Sequence, residues 1–219
     1  MTRIKFCGMT RPPDAALAAE LGASHVGVIF AESSRRLTLE QASEVFAASG
    51  AAKRVGVFGH AGTSSEEVIR CARDLRLDVL QLHGGFLPAE VARFRDDFDG
   101  ELWTVVPIDQ RETTLAEGWD ELADVSDALL IDTSVRGVTG GTGVPFDWTA
   151  AAPSIRRAAA QIPIVLAGGL NAENVAEAIA TLRPGTVDVS SGVESAPGIK
   201  DPGRMRAFAD AVVSASIVD

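Results

Sequence analysis

The sequence contains little cysteine and has no long apolar run. Among its 219 residues only Cys7 and Cys71 are cysteines, and neither lies in a CxxC motif. A disulfide framework and a zinc site are therefore not expected. No apolar signal segment follows Met1, and no run reaches the length of a membrane span. We therefore expect a cytoplasmic protein with no membrane partner.

Positive charge is also scarce. The chain has 20 Lys and Arg against 30 Asp and Glu, a net charge of −10, and no basic run stands out. This pattern argues against a nucleic-acid partner. It is compatible with a small phosphorylated substrate, because local backbone N–H groups can bind an anion whatever the net charge.

What the sequence does contain is a regular alternation of short apolar segments with longer helical ones. Apolar residues make up 46% of the chain, which is enough for a sizeable core. The short runs predict eight strands, at 4–7, 25–30, 54–58, 79–83, 102–107, 128–132, 162–167 and 187–190. Spacing of 3.6 residues predicts helices at 14–21, 39–47, 65–75, 89–97, 147–160, 172–182 and 202–213, with a less regular pattern at 113–122. Thr38, one of Thr63 and Ser64, and Asn171 are expected to cap three of them.

Strands that alternate with helices predict a parallel sheet in an α/β protein. Eight such units without a linker-like break predict a single-domain (β/α)8 TIM barrel over residues 1–219. The main alternative is an open doubly wound sheet. That fold usually has a Gly-rich turn after its first strand, whereas here Gly-rich turns follow several strands, as expected for a ring of loops at one face of a barrel.

Two residues at predicted strand ends are candidates for acid–base chemistry. Cys7 ends the first strand and Asp132 ends the sixth, so both are expected at the mouth of the barrel, on either side of a small substrate. The simpler interpretations are a buried apolar thiol for Cys7 and a rim hydrogen bond for Asp132. Cys71, on a predicted helix, is expected to be a core residue.

Glycine-rich turns after the seventh and eighth strands predict a phosphate site. Gly168 and Gly169 follow one strand, and Ser191 and Gly192 follow the next. Glycines let backbone N–H groups close on an anion, and barrels of this kind often bind phosphate at these two places. Tight turns without a ligand are the alternative.

Other polar residues are expected near the same mouth. Lys5 shares the inward parity of Cys7, and Asp188 can face Lys5 and form a buried ion pair with it. A second interpretation is that the Lys5 ammonium also stabilises a Cys7 thiolate. Arg36, after strand two, can bind a carboxylate or remain solvated. His83, at the end of strand four, can contact a ligand or act as a further acid–base group, but no cluster of metal ligands surrounds it in sequence.

Taken in order, motifs along nearly the whole chain resemble the phosphoribosylanthranilate isomerase family. Each motif alone is weak, and the ordered set at barrel-strand spacing is specific. The motifs are KFCGMT at 5–10, SRR at 34–36, VGVF at 55–58, QLHG at 81–84, LIDT at 130–133, GGTG at 140–143, FDW at 146–148, AGGLNAENV at 167–175, DVSSGVE at 188–194 and PGIKD at 197–201.

This resemblance implies an aldose–ketose isomerase of tryptophan biosynthesis. The implied reaction is the Amadori rearrangement of N-(5-phosphoribosyl)anthranilate, without cofactor or metal. The resemblance places the general base on Cys7, the general acid on Asp132 and the contact to the anthranilate carboxylate on Arg36. Other implied substrate-binding residues are His83, Gly141, Gly168, Gly169, Ser191 and Gly192. A monomer and a homodimer both remain open.

Three rival functions remain open from the sequence. The aminoimidazole-carboxamide ribonucleotide isomerase of histidine synthesis, including versions that serve both pathways, resembles this chemistry but has an aspartate where Cys7 stands. A metal-dependent pentose-phosphate epimerase would need a His/Asp ligand set, which the sequence lacks. A non-catalytic phosphate-binding barrel would need the glycine turns but not the acid–base pair.

Overall fold

Eight parallel strands form a closed barrel in the computed structural model, which describes residues 1–60, 64–109, 113–135, 138–139 and 146–216. The barrel order is β5-β4-β3-β2-β1-β9-β8-β6, and pairing of β5 with β6 closes it. The strands are β1 (Arg3–Phe6), β2 (His25–Ile29), β3 (Lys53–Gly59), β4 (Val79–His83), β5 (Glu101–Asp109), β6 (Ala128–Val135), β7 (Val138–Thr139), β8 (Ile164–Leu166), β9 (Thr186–Val189), β10 (Glu194–Ala196) and β11 (Ile199–Lys200). The predicted TIM barrel is thereby confirmed.

Helices follow the barrel strands and cover the outside of the sheet. Their bounds are α1 (Pro12–Glu20), α2 (Leu39–Ala48), α3 (Ser65–Leu75), α4 (Pro88–Arg93), α5 (Trp119–Val125), α6 (Trp148–Ala159), α7 (Val175–Leu182) and α8 (Pro202–Ala215). Short 3₁₀ turns lie at Phe94–Asp96 and Ser191–Val193. Within the described residues, no helix combines the length and apolarity needed to cross a membrane.

Capping side chains start several of these helices. Thr38 begins α2 and Ser64 begins α3, each in a reciprocal capping box with the residue three positions on. Asn171 behaves differently from the prediction. Its Oδ1 accepts hydrogen bonds from the N–H groups of Glu173 and Asn174, which forms a turn, so α7 begins at Val175 rather than at 172.

Side-chain alternation along the strands divides the core into two parts. A large cluster packs between the sheet and the helices. A second cluster fills the lumen, and its residues share inward parity on their strands. The lumen cluster is Val55, Val79, Trp103, Val105, Ala128, Leu130, Val165 and Ala167. Since this layer plugs the barrel below its C-terminal mouth, polar side chains further along the same strands line an open cavity above it.

Some element boundaries differ from the sequence prediction. The strand expected at 162–167 is shorter, Ile164–Leu166, and the helix expected at 89–97 ends at Arg93 before a 3₁₀ turn. The irregular pattern at 113–122 becomes a helix only from Trp119. The two small antiparallel pairings, β6–β7 and β10–β11, were not predicted. Apart from β6, which is a barrel strand, the strands in these pairings are only two or three residues long.

Candidate active site

A cavity of about 280 Å³ opens at the C-terminal ends of the barrel strands. Most of the predicted site residues line it, although they are far apart in sequence. The lining includes Cys7, His83, Asp132, Gly168, Gly169, Ser191 and Gly192. The barrel topology brings these residues together because the carboxyl ends of all eight parallel strands meet at this face.

Cys7 directly follows β1 and is 7% exposed. Its backbone N–H donates to the carbonyl of Val189, so the end of β1 is fixed to the last barrel strand. Burial raises the pKa of the Cys7 thiol, and the nearby Lys5 ammonium offsets only part of that increase. In the ligand-free protein at neutral pH, the thiol is therefore the main form.

Asp132 lies on β6 and is 9% exposed at the cavity wall. Burial raises its pKa to about 7, and the negative charge of Asp188 contributes to the increase. A carboxyl group with this pKa is partly protonated at neutral pH, so it can give a proton to a bound substrate and take one back.

Lys5 and Asp188 form the buried ion pair that parity predicted. Lys5 Nζ lies 2.8 Å from Asp188 Oδ2, and Lys5 is fully buried. The other carboxylate oxygen of Asp188 and the Gln81 Oε1 atom are buried without a hydrogen-bond partner among the described residues. Both residues line the cavity, although these two oxygen atoms are themselves buried below its surface.

The two glycine turns pack tightly at one side of the cavity. Gly168 has a φ of +88°, and a Cβ there would lie 2.3 Å from Thr133 Oγ1. A Cβ on Gly192 would lie 1.9 Å from the carbonyl oxygen of Leu170. Within the described residues, the backbone N–H groups of Gly169, Ser191 and Gly192 donate to no protein acceptor. Such a set of unpaired donors favours an anion.

The remaining predicted residues occupy different positions. His83 is half-buried and lines the cavity. The Arg36 side chain is exposed and lies outside the cavity lining, whereas its neighbour Arg35 lines the cavity. Gly141 lies outside the described residues. Cys71 is buried in α3, as expected for a core cysteine.

Sequence reasoning missed a charged network beside Cys7. Lys200 is 1% exposed, and its Nζ donates to the carbonyl of Cys7 at 2.7 Å, to that of Ser190 at 3.1 Å and to Glu194 Oε1 at 2.9 Å. Arg35 donates to both oxygens of the same Glu194 carboxylate, at 2.8 and 2.7 Å. The sequence signal for this network was the pair of opposite charges at Glu194 and Lys200, six positions apart in a segment that contains Gly and Pro. The same pattern is typical of a surface turn, so it does not predict a buried network.

Comparison with known proteins places this geometry in one family. The model of the N-(5'phosphoribosyl)anthranilate (PRA) isomerase family matches residues 4–211. An N-(5'-phosphoribosyl)anthranilate isomerase of Rubrobacter xylanophilus is 41% identical over 216 residues, which cover 98% of this chain and 100% of the relative.

Solved structures agree with this assignment. The phosphoribosyl anthranilate isomerase of Thermotoga maritima matches with a TM-score of 0.83 at 31% identity, covering 98% of this chain and 100% of the other. A phosphoribosyl anthranilate isomerase in complex with reduced 1-(o-carboxyphenylamino)-1-deoxyribulose 5-phosphate matches with a TM-score of 0.80 at 30% identity, covering 98% and 100%. The barrel, its cavity and these matches together show that the chain belongs to the N-(5'-phosphoribosyl)anthranilate isomerase family.

Proposed function

We propose that this enzyme catalyses the Amadori rearrangement of N-(5-phosphoribosyl)anthranilate to 1-(2-carboxyphenylamino)-1-deoxyribulose 5-phosphate, a step of tryptophan biosynthesis. One observation supports this function above all others. A buried thiol, Cys7, and a buried carboxyl group, Asp132, line the same cavity as two turns in which the backbone N–H groups of Gly169, Ser191 and Gly192 have no acceptor among the described residues. The cavity therefore offers an acid, a base and an anion site to one small molecule.

In the proposed mechanism, Asp132 acts as the general acid. It donates its proton to the furanose ring oxygen, the C1–O bond breaks, and the ring opens to an iminium ion. The raised pKa of Asp132, due first to its burial, keeps the carboxyl group partly protonated near pH 7. The carboxylate that remains after proton transfer is stabilised by the backbone N–H of Thr133.

Cys7 then acts as the general base. Its thiolate removes the proton from C2 of the open-chain sugar, the C2–H electron pair forms the C1=C2 bond, and the iminium nitrogen becomes neutral. The resulting enolamine tautomerises to the ketone. Since burial raises the pKa of Cys7, the thiolate is the minor form, and the Lys5 ammonium below it favours that form electrostatically.

The substrate's two ends define the rest of the site. The phosphate is placed at Gly168, Gly169, Ser191 and Gly192, where backbone donors and a 3₁₀ turn converge. The sugar hydroxyls are placed against Gln81 and Asp188, with His83 as a further contact. Arg36 stays in the proposal as the contact to the anthranilate carboxylate, from the exposed loop after β2.

The test is an isomerase assay of the purified chain beside the variants Cys7→Ala and Asp132→Ala. We expect each variant to lose at least about 10²-fold in kcat, because each removes one proton-transfer group. Unchanged circular dichroism and unfolding behaviour would show that the fold is retained. A rate near that of the unmodified enzyme in either variant would reject the role given to that residue. The aminoimidazole-carboxamide substrate of the histidine pathway, assayed in parallel, tests the dual-substrate alternative.

A further inference from the structure

Lys200 is a buried cation to which the proposed mechanism gives no role. It is 1% exposed and lies on β11, outside the cavity lining. Its Nζ atom donates to the carbonyl oxygens of Cys7 at 2.7 Å and Ser190 at 3.1 Å, and to Glu194 Oε1 at 2.9 Å. Because all three partners are acceptors, the nitrogen carries three hydrogens and is a fully hydrogen-bonded ammonium.

Neutralisation of Glu194 does not account for this arrangement. Both oxygens of that carboxylate already accept hydrogen bonds from Arg35, at 2.8 and 2.7 Å, and such a bidentate pair is complete without a second cation. A buried ammonium is costly unless its own hydrogen bonds are satisfied. Two of the three acceptors of Lys200 are main-chain carbonyls at the ends of β1 and β9, so the ammonium is a bridge between these two strand ends.

The bridge lies where the pairing of β1 with β9 ends. The strands pair as far as Val189, whose carbonyl accepts a hydrogen bond from the Cys7 N–H at 2.9 Å. Beyond this point Ser190 leads into the 3₁₀ turn that starts at Ser191. Lys200 therefore connects the residue that carries the thiol to the residue just before the turn proposed to bind the phosphate.

The main chain of Lys200 is fixed as well, so the ammonium has a defined position. Its N–H donates to Asp14 Oδ2 at 3.2 Å, and its carbonyl accepts from Arg11 Nη2 at 3.2 Å. Arg11 and Asp14 also pair with each other at the start of α1, at 2.9 and 2.7 Å. The Thr10 hydroxyl donates to the carbonyl of Gly198. The hairpin of β10 and β11 is thereby joined to the loop after β1 and to the start of α1.

We propose that Lys200 is a positioning residue of the isomerase reaction, which holds the end of β1 with the Cys7 thiol at a fixed distance from the turn at Ser191 and Gly192. The inference deepens the proposed function, on which the roles of the thiol and of this turn rest. A substrate bound by its phosphate presents C2 to the base only if this distance is correct, and a displacement of about 1 Å can cost about 10²-fold in rate. Lys200 itself touches no substrate atom and acts through the two carbonyls.

The charge of Lys200 has a second effect, on the thiol itself. Among the described residues, the charged groups that face Cys7 are Lys5 of β1, Asp188 of β9, Lys200 of β11 and Arg35 of the loop after β2. Burial raises the pKa of the thiol, Lys5 opposes this increase most, Asp188 adds to it, and Lys200 makes a smaller opposing contribution. Loss of the Lys200 charge should therefore move the ionisation of Cys7 to higher pH.

Amide hydrogen exchange of the full chain, followed residue by residue by NMR, tests the bridge without requiring turnover. Two amides mark the ends of the pairing of β1 with β9. The Cys7 N–H lies beside Lys200, and the Arg3 N–H donates to the Gly185 carbonyl at 3.0 Å at the opposite end. We expect Lys200→Met to speed exchange at Cys7 by about tenfold or more and to leave exchange at Arg3 within about twofold. A general loss of stability would instead speed both.

The kinetic test compares Lys200→Met with the control Arg54→Met. Arg54 lies near the start of β3, at the other end of the barrel from the cavity, and its Nη1 donates to the Leu75 carbonyl at 3.0 Å. The control therefore also removes a hydrogen bond from a cation to a carbonyl. We expect Lys200→Met to lower kcat by about tenfold or more with a smaller change in KM, and to move alkylation of Cys7 by iodoacetamide to higher pH. Arg54→Met should change none of these.

Equal acceleration of exchange at both amides, an unchanged kcat in Lys200→Met, or the same loss of kcat in Arg54→Met would overturn the positioning role. An unchanged alkylation profile would reject the effect of the Lys200 charge on the thiol. If Lys200→Met does not fold, Lys200→Gln, whose neutral side chain is too short to reach both carbonyls, should show the same losses.

The remaining outcomes separate this proposal from the proposed function. If neither variant folds, Lys200 is required for the fold itself, and the positioning role is wrong. If exchange at Cys7 depends on Lys200 but the unmodified chain lacks isomerase activity, the proposed function fails and the bridge between the strand ends stands. If the chain is an active isomerase whose kcat does not depend on Lys200, the function stands and the positioning role fails.

Discussion

At the scale of single residues, the main feature is an inverted order of ionisation. The proposed acid, Asp132, has its pKa raised to about 7 by burial and by Asp188, while burial raises the pKa of the proposed base, Cys7, above its usual value. The productive form, with Asp132 protonated and Cys7 ionised, is therefore a minor species. Its share is constant between the two pKa values and falls outside them.

This order predicts the pH dependence of catalysis. We expect kcat/KM to fall about tenfold per unit below a pH of about 7, where a second proton joins the pair. The measurement is kcat/KM between pH 5 and 9 at constant ionic strength, with iodoacetamide alkylation of Cys7 followed over the same range. An acidic limb near pH 4 would instead show that Asp132 titrates like an exposed aspartate.

The same carboxyl group affects stability. Its pKa is raised from 3.8 to about 7 in the folded state, so the folded protein binds the proton more tightly, and stability is lost as pH rises through this window. Asp132→Asn removes that loss. We expect its melting temperature to rise by a few degrees, roughly 2–4 °C for each kcal/mol gained, at pH 8, with a smaller change at pH 5. An equal effect at both pH values would contradict the linkage.

Several features of these residues could be read from the sequence, whereas others could not. Strand-end position and parity predicted that Cys7, Asp132 and the Lys5–Asp188 pair face the barrel interior, because the alternation of side chains along a strand fixes this. The sequence could not predict that Arg35, rather than Arg36, lines the cavity. Adjacent arginines in a loop have no periodic constraint, and Arg35 is paired with Glu194, which is 159 positions away.

At the scale of elements, the turns after β8 and β9 are built around the absence of side chains. Gly192 has no room for a Cβ, since one would lie 1.9 Å from the Leu170 carbonyl oxygen. We expect Gly192→Ala to push these turns apart and raise KM for a phosphorylated substrate by about tenfold or more, with a smaller change in kcat. Gly185→Ala is the matched control, because a Cβ there would make only an ordinary contact at 3.6 Å with Ile164. Equal effects of both changes would contradict this.

The helices show where local sequence decides structure and where it does not. Thr38 and Ser64 fulfil their predicted roles because a capping box is closed within four residues. Asn171 has the right chemistry for a cap, but its side chain forms a turn and the helix starts later. A cap and an Asx turn use the same side-chain acceptor, so the sequence alone could not distinguish them.

At the scale of the whole molecule, one buried ion pair joins the first barrel strand to the last. Lys5 and Asp188 are 183 positions apart and 2.8 Å from each other. We expect Lys5→Met to lower the free energy of unfolding by about 3–5 kcal/mol, because it leaves Asp188 buried without a partner. Arg73→Met breaks an exposed pair with Asp97 and should cost about 0.5 kcal/mol or less.

Urea unfolding at pH 7.5 measures these differences. The double variant Lys5→Met/Asp188→Asn should be more stable than Lys5→Met alone, since it removes the unpaired charge. A cost below about 1 kcal/mol for Lys5→Met would show that Asp188 finds another partner. Together the three variants separate the role of the pair in barrel closure from a general effect of surface charge.

The contact between Lys200 and the carbonyl of Cys7 has a consequence for synthesis of the protein. The two residues are 193 positions apart, so the ribosome adds Cys7 early and Lys200 late in the synthesis of the chain. An incomplete translation product that stops before position 200 cannot form this anchor. The end of β1 that carries Cys7 therefore acquires its final arrangement only after residue 200 has emerged from the ribosome.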